Sequence, residues 1–271
     1  MKSAKEVNVD IRLIDLVDSF NLSGNAMKAL KLLLANEELQ ASQEYANIVS
    51  IVRLGYNDHG PVHMRTVTYN AAFMLDLIRK AKIQTSLEAD CCGDFEDSLI
   101  GVMLASMFHD LGMGMGRQNH ELHSIVLSMP LIDHVLNQVY PDDIKKRVMI
   151  RALALEGVAG HMGTITISSL EAGIVQVADG CDMTKGRARI PINMIQTPRV
   201  GLIHQYSANS IEKVSIKAGA EKPIRIDVNM SSEIGLFQVE EVLLHKIAQS
   251  TAKQHIELYA KVGDDDDRRY L

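Results

Sequence analysis

Tryptophan is absent from this chain, and other aromatics are sparse: 5 phenylalanines and 7 tyrosines in 271 residues. The core therefore falls to aliphatic side chains and to 14 methionines, which fill irregular gaps. Cysteine is scarce too. Its three positions, two of them adjacent at Cys91 and Cys92, make neither a disulfide framework nor a CxxC pair, so a reducing cytoplasm is the expected compartment. No apolar run approaches the ~18 residues a membrane helix needs. Asp10, Asp15 and Asp18 keep the first twenty positions from reading as a signal peptide. Positive charge is not in excess either. A net charge of −6 argues against broad nonspecific nucleic-acid binding, which needs a basic face. It leaves a phosphorylated substrate open, because bound divalent cations would invert the local field.

What is present supports a packed, mostly helical protein. Hydrophobic residues make up 46% of the chain and charged residues 23%, enough for one large domain or a domain plus a smaller one. Apolar spacing predicts helices over Asn25–Gln40, over 43–54, and from Gly60-Pro61 to about Lys80. A further helix over 97–109 buries Ile100, Leu104, Met107 and Phe108, and Gly112, Gly114 and Gly116 form a flexible turn after it. Asn119 caps a short helix ending at Pro130, and Pro141-Asp142-Asp143 opens another that ends near Gly157. Ser168 and Glu171 read as a capping box for the helix carrying Asp179. Beyond about residue 200 the period changes. Ile211–Ala218, Ile224–Met230 and Ile256–Val262 read as strands, with a helical pattern over Leu236–Ile247. The expected organisation is a helical domain over 1–200 and a small β-β-α-β domain over 201–262. The charged tail, 263–271, is expected to fray.

The residues that carry chemistry are concentrated in the helical part. Met107 to Gly112 reads Met-Phe-His-Asp-Leu-Gly, which sets His109 and Asp110 side by side at the end of an apolar helix. His63 lies upstream in Asp-His-Gly-Pro-Val-His-Met-Arg, His120 follows the glycine turn, His161 sits after Gly160, and Asp179 sits in Val-Ala-Asp. Any one of these is more often a satisfied core or cap residue than a ligand. Four histidines and two aspartates in this order, each beside a glycine, a cap or an element end, instead suggest a two-metal hydrolytic centre. His63, His109 and Asp179 would hold one ion, His120 and His161 the other, and Asp110 would bridge them. Mixed imidazole and carboxylate ligands suit Mn, Fe, Co, Ni or Zn better than Ca. Such a pair would hold a bridging hydroxide as nucleophile and polarise a phosphoryl oxygen. Asp182 rivals Asp179 from the same helical face and is expected, with His59 and His123, behind the ligands rather than among them. Arg65, Arg117 and the basic run of Lys185, Arg187 and Arg189 are candidates for holding substrate phosphate.

His63, His109-Asp110 and Asp179 resemble the H…HD…D signature of the HD-domain superfamily of metal-dependent phosphohydrolases, and His120 and His161 resemble its two-metal subset. The similarity covers roughly residues 45–190. It implies an all-helical fold and hydrolysis of phosphomonoesters or phosphodiesters, often of nucleotides. No His-His-Glu-x-x-Asp-Gly-x-Gly-Tyr-Pro segment follows His161, which speaks against the cyclic-di-nucleotide phosphodiesterase branch. The expected partner is a small phosphorylated, nucleotide-like substrate, with no membrane. The C-terminal domain lies outside the signature and is available for a homodimer or partner contact. The alternative is a catalytically silent nucleotide- or metal-binding regulator.

Overall fold

The computed structural model describes residues 2–185 and 202–271. Helices α1 (Ala4–Ser19), α2 (Asn25–Ala35), α3 (Glu37–Ile48), α4 (Pro61–Lys80), α5 (Ser86–Ala89), α6 (Phe95–Phe108), α7 (His120–Val139), α8 (Ile144–Gly160) and α9 (Leu170–Cys181) form the larger part. α10 (Leu202–Ser210) then leads into a lobe of strands β1 (Ile211–Ala218), β2 (Ile224–Met230), β3 (Ile256–Val262) and β4 (Arg268–Arg269), with α11 (His245–Gln249) between β2 and β3. Among the described residues, no helix is long and apolar enough to cross a membrane.

α6 is the axis of the molecule. Its sequence is apolar on every side, so it is buried along its whole length rather than on one stripe. α2, α4, α8 and α9 pack around it. Asp94 and Asp97 cap it reciprocally, and Ser98 donates to Glu171 at 2.8 Å. Glu171 is therefore not the capping-box partner that its spacing from Ser168 suggests. Ser169 caps α9, while Glu171 accepts from the backbone N–H groups of Ser86 and Leu87 and so caps α5.

Three other elements depart from the periodicity. The expected helix over Asn25–Gln40 breaks at Asn36, whose extended backbone and side chain, accepting from Leu39 N–H, start α3. α1 lies ahead of the helical stretch expected from about residue 25, yet Val9, Leu13 and Val17 are buried at helical spacing, and Ser3 and Glu6 form a capping box at its start. α7 passes straight through Pro130. Proline removes the bond to the carbonyl of Val126, but both residues face solvent, where water can take that carbonyl.

The strands, by contrast, fall where alternation places them. β1 and β2 pair antiparallel, β2 and β3 parallel, β3 and β4 antiparallel. Parallel pairing of β2 and β3 demands a crossover, which the π-helical segment Gln238–Leu244 and α11 provide. Val239, Leu243 and Ile247 of that crossover are wholly buried. The charged tail does not simply fray. Arg268 and Arg269 pair with Ala260 and Tyr259, Tyr270 N–H bonds Leu258 O at 2.8 Å, and Arg269 clasps Glu221 with two hydrogen bonds. Nor do the two parts have separate cores, since Leu104 and Val177 share one buried cluster with Ile226 and Leu258. The contact runs along α9, where a Cβ on Gly173 would lie 2.2 Å from Thr251 Oγ1.

Candidate metal centre

Each candidate ligand sits at an element end, where a side chain can leave the helix packing. His63 is the third residue of α4, opened by Gly60-Pro61. His109 ends α6, and Asp110 lies beyond the helix with φ −105° and ψ 7°, in the bridge region that active-site residues often occupy. The pair therefore does not project from one continuous helix, as its spacing suggests; the break frees Asp110 to reach sideways. A 3₁₀ turn, Leu111–Gly114, follows at once. Gly112 is no flexible joint. A Cβ there would lie 2.0 Å from His120 O, and Gly112 N–H donates to Ser124 Oγ at 2.8 Å. That contact carries His120, first residue of α7, up to Asp110. His161 ends α8, and Asp179 lies in the last turn of α9.

The six side chains meet. Asp110 Oδ2 is 3.3 Å from both His63 Nε2 and His109 Nε2, and Asp110 Oδ1 is 3.1 Å from His120 Nε2 and 3.5 Å from His161 Nε2. Asp179 Oδ1 closes the first group at 3.2 Å from His63 Nε2 and 3.7 Å from His109 Nε2. Ligand atoms around an ion bound at about 2.0–2.1 Å stand roughly 2.9–3.4 Å apart; four of these six distances fall in that range, and those of His161 to Asp110 and His109 to Asp179 are slightly longer. One carboxylate thus gives an oxygen to each of two histidine pairs.

Hydrogen bonds behind the ligands decide which nitrogen is available. His109 Nδ1 is 2.8 Å from Ser106 O, His161 Nδ1 2.7 Å from Val158 O, and His120 Nδ1 3.0 Å from Arg117 O. A carbonyl oxygen only accepts, so each Nδ1 carries the proton and each neutral Nε2 presents a lone pair. His63 Nδ1 stands 2.7 Å from Asp182 Oδ2 and follows the same logic. Asp182 is therefore the carboxylate behind His63, a hydrogen-bond partner on the side of the ring away from the other ligands. Yet the Nε2 atoms face one another, His63 to His109 at 3.2 Å and His120 to His161 at 3.1 Å. Two lone pairs cannot hydrogen-bond. Only cations, protons or metal ions, can occupy the space between them.

The electrostatics agree. Burial opposes a charge on His109, but Asp110 and then Asp179 outweigh it and lift its pKa to about 9. Burial dominates at His161 and lowers it to about 4. Burial pushes both carboxyls up as well, yet His109 and His59 hold Asp110 well below the usual range, and Lys246 and His109 do so for Asp179. Without an ion the cluster traps a proton; with one, that proton must leave.

The remaining candidates divide. Arg117 lies against the second group, its Nη1 3.3 Å from His120 Nε2. His59 stacks edge-on to His63 at 5.8 Å between ring centroids and contacts Ser50 Oγ and Asn57 O through Nδ1. His123 is outside every group of candidate ligands among the described residues, and its buried Nδ1 has no hydrogen-bond partner. Lys185 is exposed, 4.0 Å from Glu212. Arg187 and Arg189 lie outside the described residues. Arg65 must be corrected: it is 3% exposed and spends its donors on Asp10, Gln43, Gln40 and the carbonyl of Pro61. Two residues after His63 on a helix, it points about 200° away from the centre. One neighbour has no sequence signal at all. Lys246 of α11 donates to His161 O at 2.8 Å and to Asp179 Oδ2.

No family model matches the chain, and no solved structure matches it. It is similar to the uncharacterized protein MJ1020 of Methanocaldococcus jannaschii, 41% identical over 230 residues that span 85% of this chain and 86% of the relative. That identity, over more than four fifths of each chain, places this protein in the family of MJ1020.

Proposed function

We propose that this protein is a metal-dependent phosphohydrolase of the HD type, cleaving a phosphomonoester or phosphodiester of a small, nucleotide-like molecule. The observation that carries the reading is the meeting of four imidazole Nε2 atoms on the two oxygens of one aspartate. Histidines packed Nε2 to Nε2 need a cation between them, and a divalent ion on each side would meet that need. His63, His109 and Asp179 would hold one ion, His120 and His161 the other, with Asp110 shared. Ions bound there supply Lewis acidity and acidify a water molecule.

The chain's own groups do the rest. Arg117, beside the second pair, would serve phosphoryl oxygens as a bidentate donor. Burial, with Asp179 and Asp182, pushes the Cys181 thiol up, so this neighbour of the ligands is no thiolate nucleophile. A cavity of about 790 Å³ opens beside His63 and Asp182, lined by Asn47, Tyr69, Asn70 and Arg12. It is large enough for the remainder of a nucleotide-sized substrate.

Metal analysis of anaerobically purified protein, followed by a panel of nucleotides and generic phosphoesters, tests the reading. Asp110→Ala is expected to lose both metal content and turnover. Full activity in that variant, or purified protein with only trace metal, sinks the proposal. Stoichiometric metal and tight binding of one nucleotide without turnover would assign the protein to the regulatory alternative.

A further inference from the structure

Lys246 is buried in a place where the fold gives it no reason to be. It is 6% exposed and stands between Leu243 and Ile247, which point into the core. A buried ammonium is costly unless it is paired and hydrogen-bonded, and its partners here are Asp179 Oδ2 and the carbonyl oxygen of His161. Its stem crosses α9 at Gly180, where a Cβ would stand 3.2 Å from Lys246 Cδ. One side chain of the C-terminal lobe thus reaches one ligand from each half of the metal centre.

We propose that Lys246 is a positioning residue of the metal centre, by which the C-terminal lobe holds Asp179 with Oδ1 turned to His63 and His109. The inference rests on the metal-binding part of the reading above. A carboxylate free to rotate can present either oxygen, or both, to an ion. Pinning Oδ2 to an ammonium leaves Oδ1 as the ligating atom, 3.2 Å from His63 Nε2. The same ammonium anchors the backbone of His161, so the geometry of both halves depends on where α11 sits.

Removing a positive charge near a cation site should by itself tighten cation binding, whereas removing a positioning group should weaken it. The sign therefore decides. Titration of metal-free protein with Mn(II), wild type against Lys246→Met and Lys246→Gln, reads it, with circular dichroism confirming that each variant folds. Lys246→Met is expected to lose about 10–100-fold in affinity for one of two ions, as when other groups behind metal ligands are removed. Lys246→Gln, which keeps an N–H donor without the charge, is expected to recover part of that loss, and it carries the test if the methionine variant does not fold. Unchanged or tighter binding in a folded variant overturns the proposal. Failure of both variants to fold assigns Lys246 to the fold and also counts against it. A wild type that binds no ion refutes both readings. One that binds two ions yet hydrolyses nothing removes only the hydrolase.

Discussion

On α4, His63 and Arg65 serve unrelated ends two residues apart. His63 turns Nε2 to the other ligands, while Arg65 ties α1 to α3 and to the first turn of α4 through Asp10, Gln43, Gln40 and Pro61 O. Removing one partner of a buried ion pair costs about 3–5 kcal/mol. Arg65→Met is therefore expected to lower stability by about that amount in urea unfolding, and to leave phosphate affinity of the folded protein unchanged. A variant of normal stability with weakened phosphate binding would return Arg65 to the substrate. The histidines make a second prediction, for metal-free protein. His109 at about 9 keeps its proton in the folded state after the unfolded state has lost its own near 6.5, so its stabilisation is full below 6.5 and lost as pH rises to 9. His161 at about 4 works in the other direction, costing stability as pH falls from 6.5 to 4, and the lowered carboxyls of Asp110 and Asp179 lose theirs in still stronger acid. Thermal melting should accordingly show a maximum near pH 6.5. Metal uptake at pH 7 should release a proton, measurable in weak buffer, and apparent affinity should rise with pH up to about 9. A flat profile with no proton release would contradict the assignment of His109.

At the scale of elements, the centre depends on where helices stop. α6 ends at Phe108, the 3₁₀ turn reverses the chain, and α7 begins at His120 itself. Gly112 is where these pieces touch. Gly112→Ala would drive a methyl group onto the backbone of His120 and Ser124, which is backbone rather than a flexible side chain and cannot yield cheaply. The expected result is a loss of about 1–3 kcal/mol in stability, together with loss of the ion at His120 and His161 while the ion at His63 and His109 stays. Metal stoichiometry in the folded variant checks this, and two ions retained would contradict it. Sequence signals located many of these boundaries. Gly60-Pro61 marked the start of α4, and Asp143 caps α8 as its acidic context suggests. The failures have physical causes: Pro130 is tolerated because its lost bond faces water, and Glu171 serves another helix because α5 lies across from it.

At the scale of the whole molecule, the C-terminal lobe is not an appendage. Val239, Leu243, Ile247 and Leu258 are wholly buried in the cluster that holds α6 and α9. Burying each such side chain contributes about 1.5–3 kcal/mol, so losing several would remove an amount comparable to the roughly 5–15 kcal/mol of net stability typical of a folded protein. A fragment ending at residue 201 is therefore expected to show no cooperative thermal transition by circular dichroism. A soluble, cooperatively melting fragment would prove the helical part independent.

What the sequence determined by itself is the inventory and its local setting. Histidines and aspartates stood at caps, glycines and helix ends, with apolar periods around them and strand alternation after residue 210. These features were readable because they depend on residues a few positions apart. The tertiary structure alone decided which side chains would meet. It turned Arg65 away from His63, set Asp182 behind that histidine, bent Asp110 out of its helix to serve two pairs, and brought Lys246 across from the other lobe. Such contacts join residues far apart in the chain, and they follow from how helices pack, which no short window of sequence encodes.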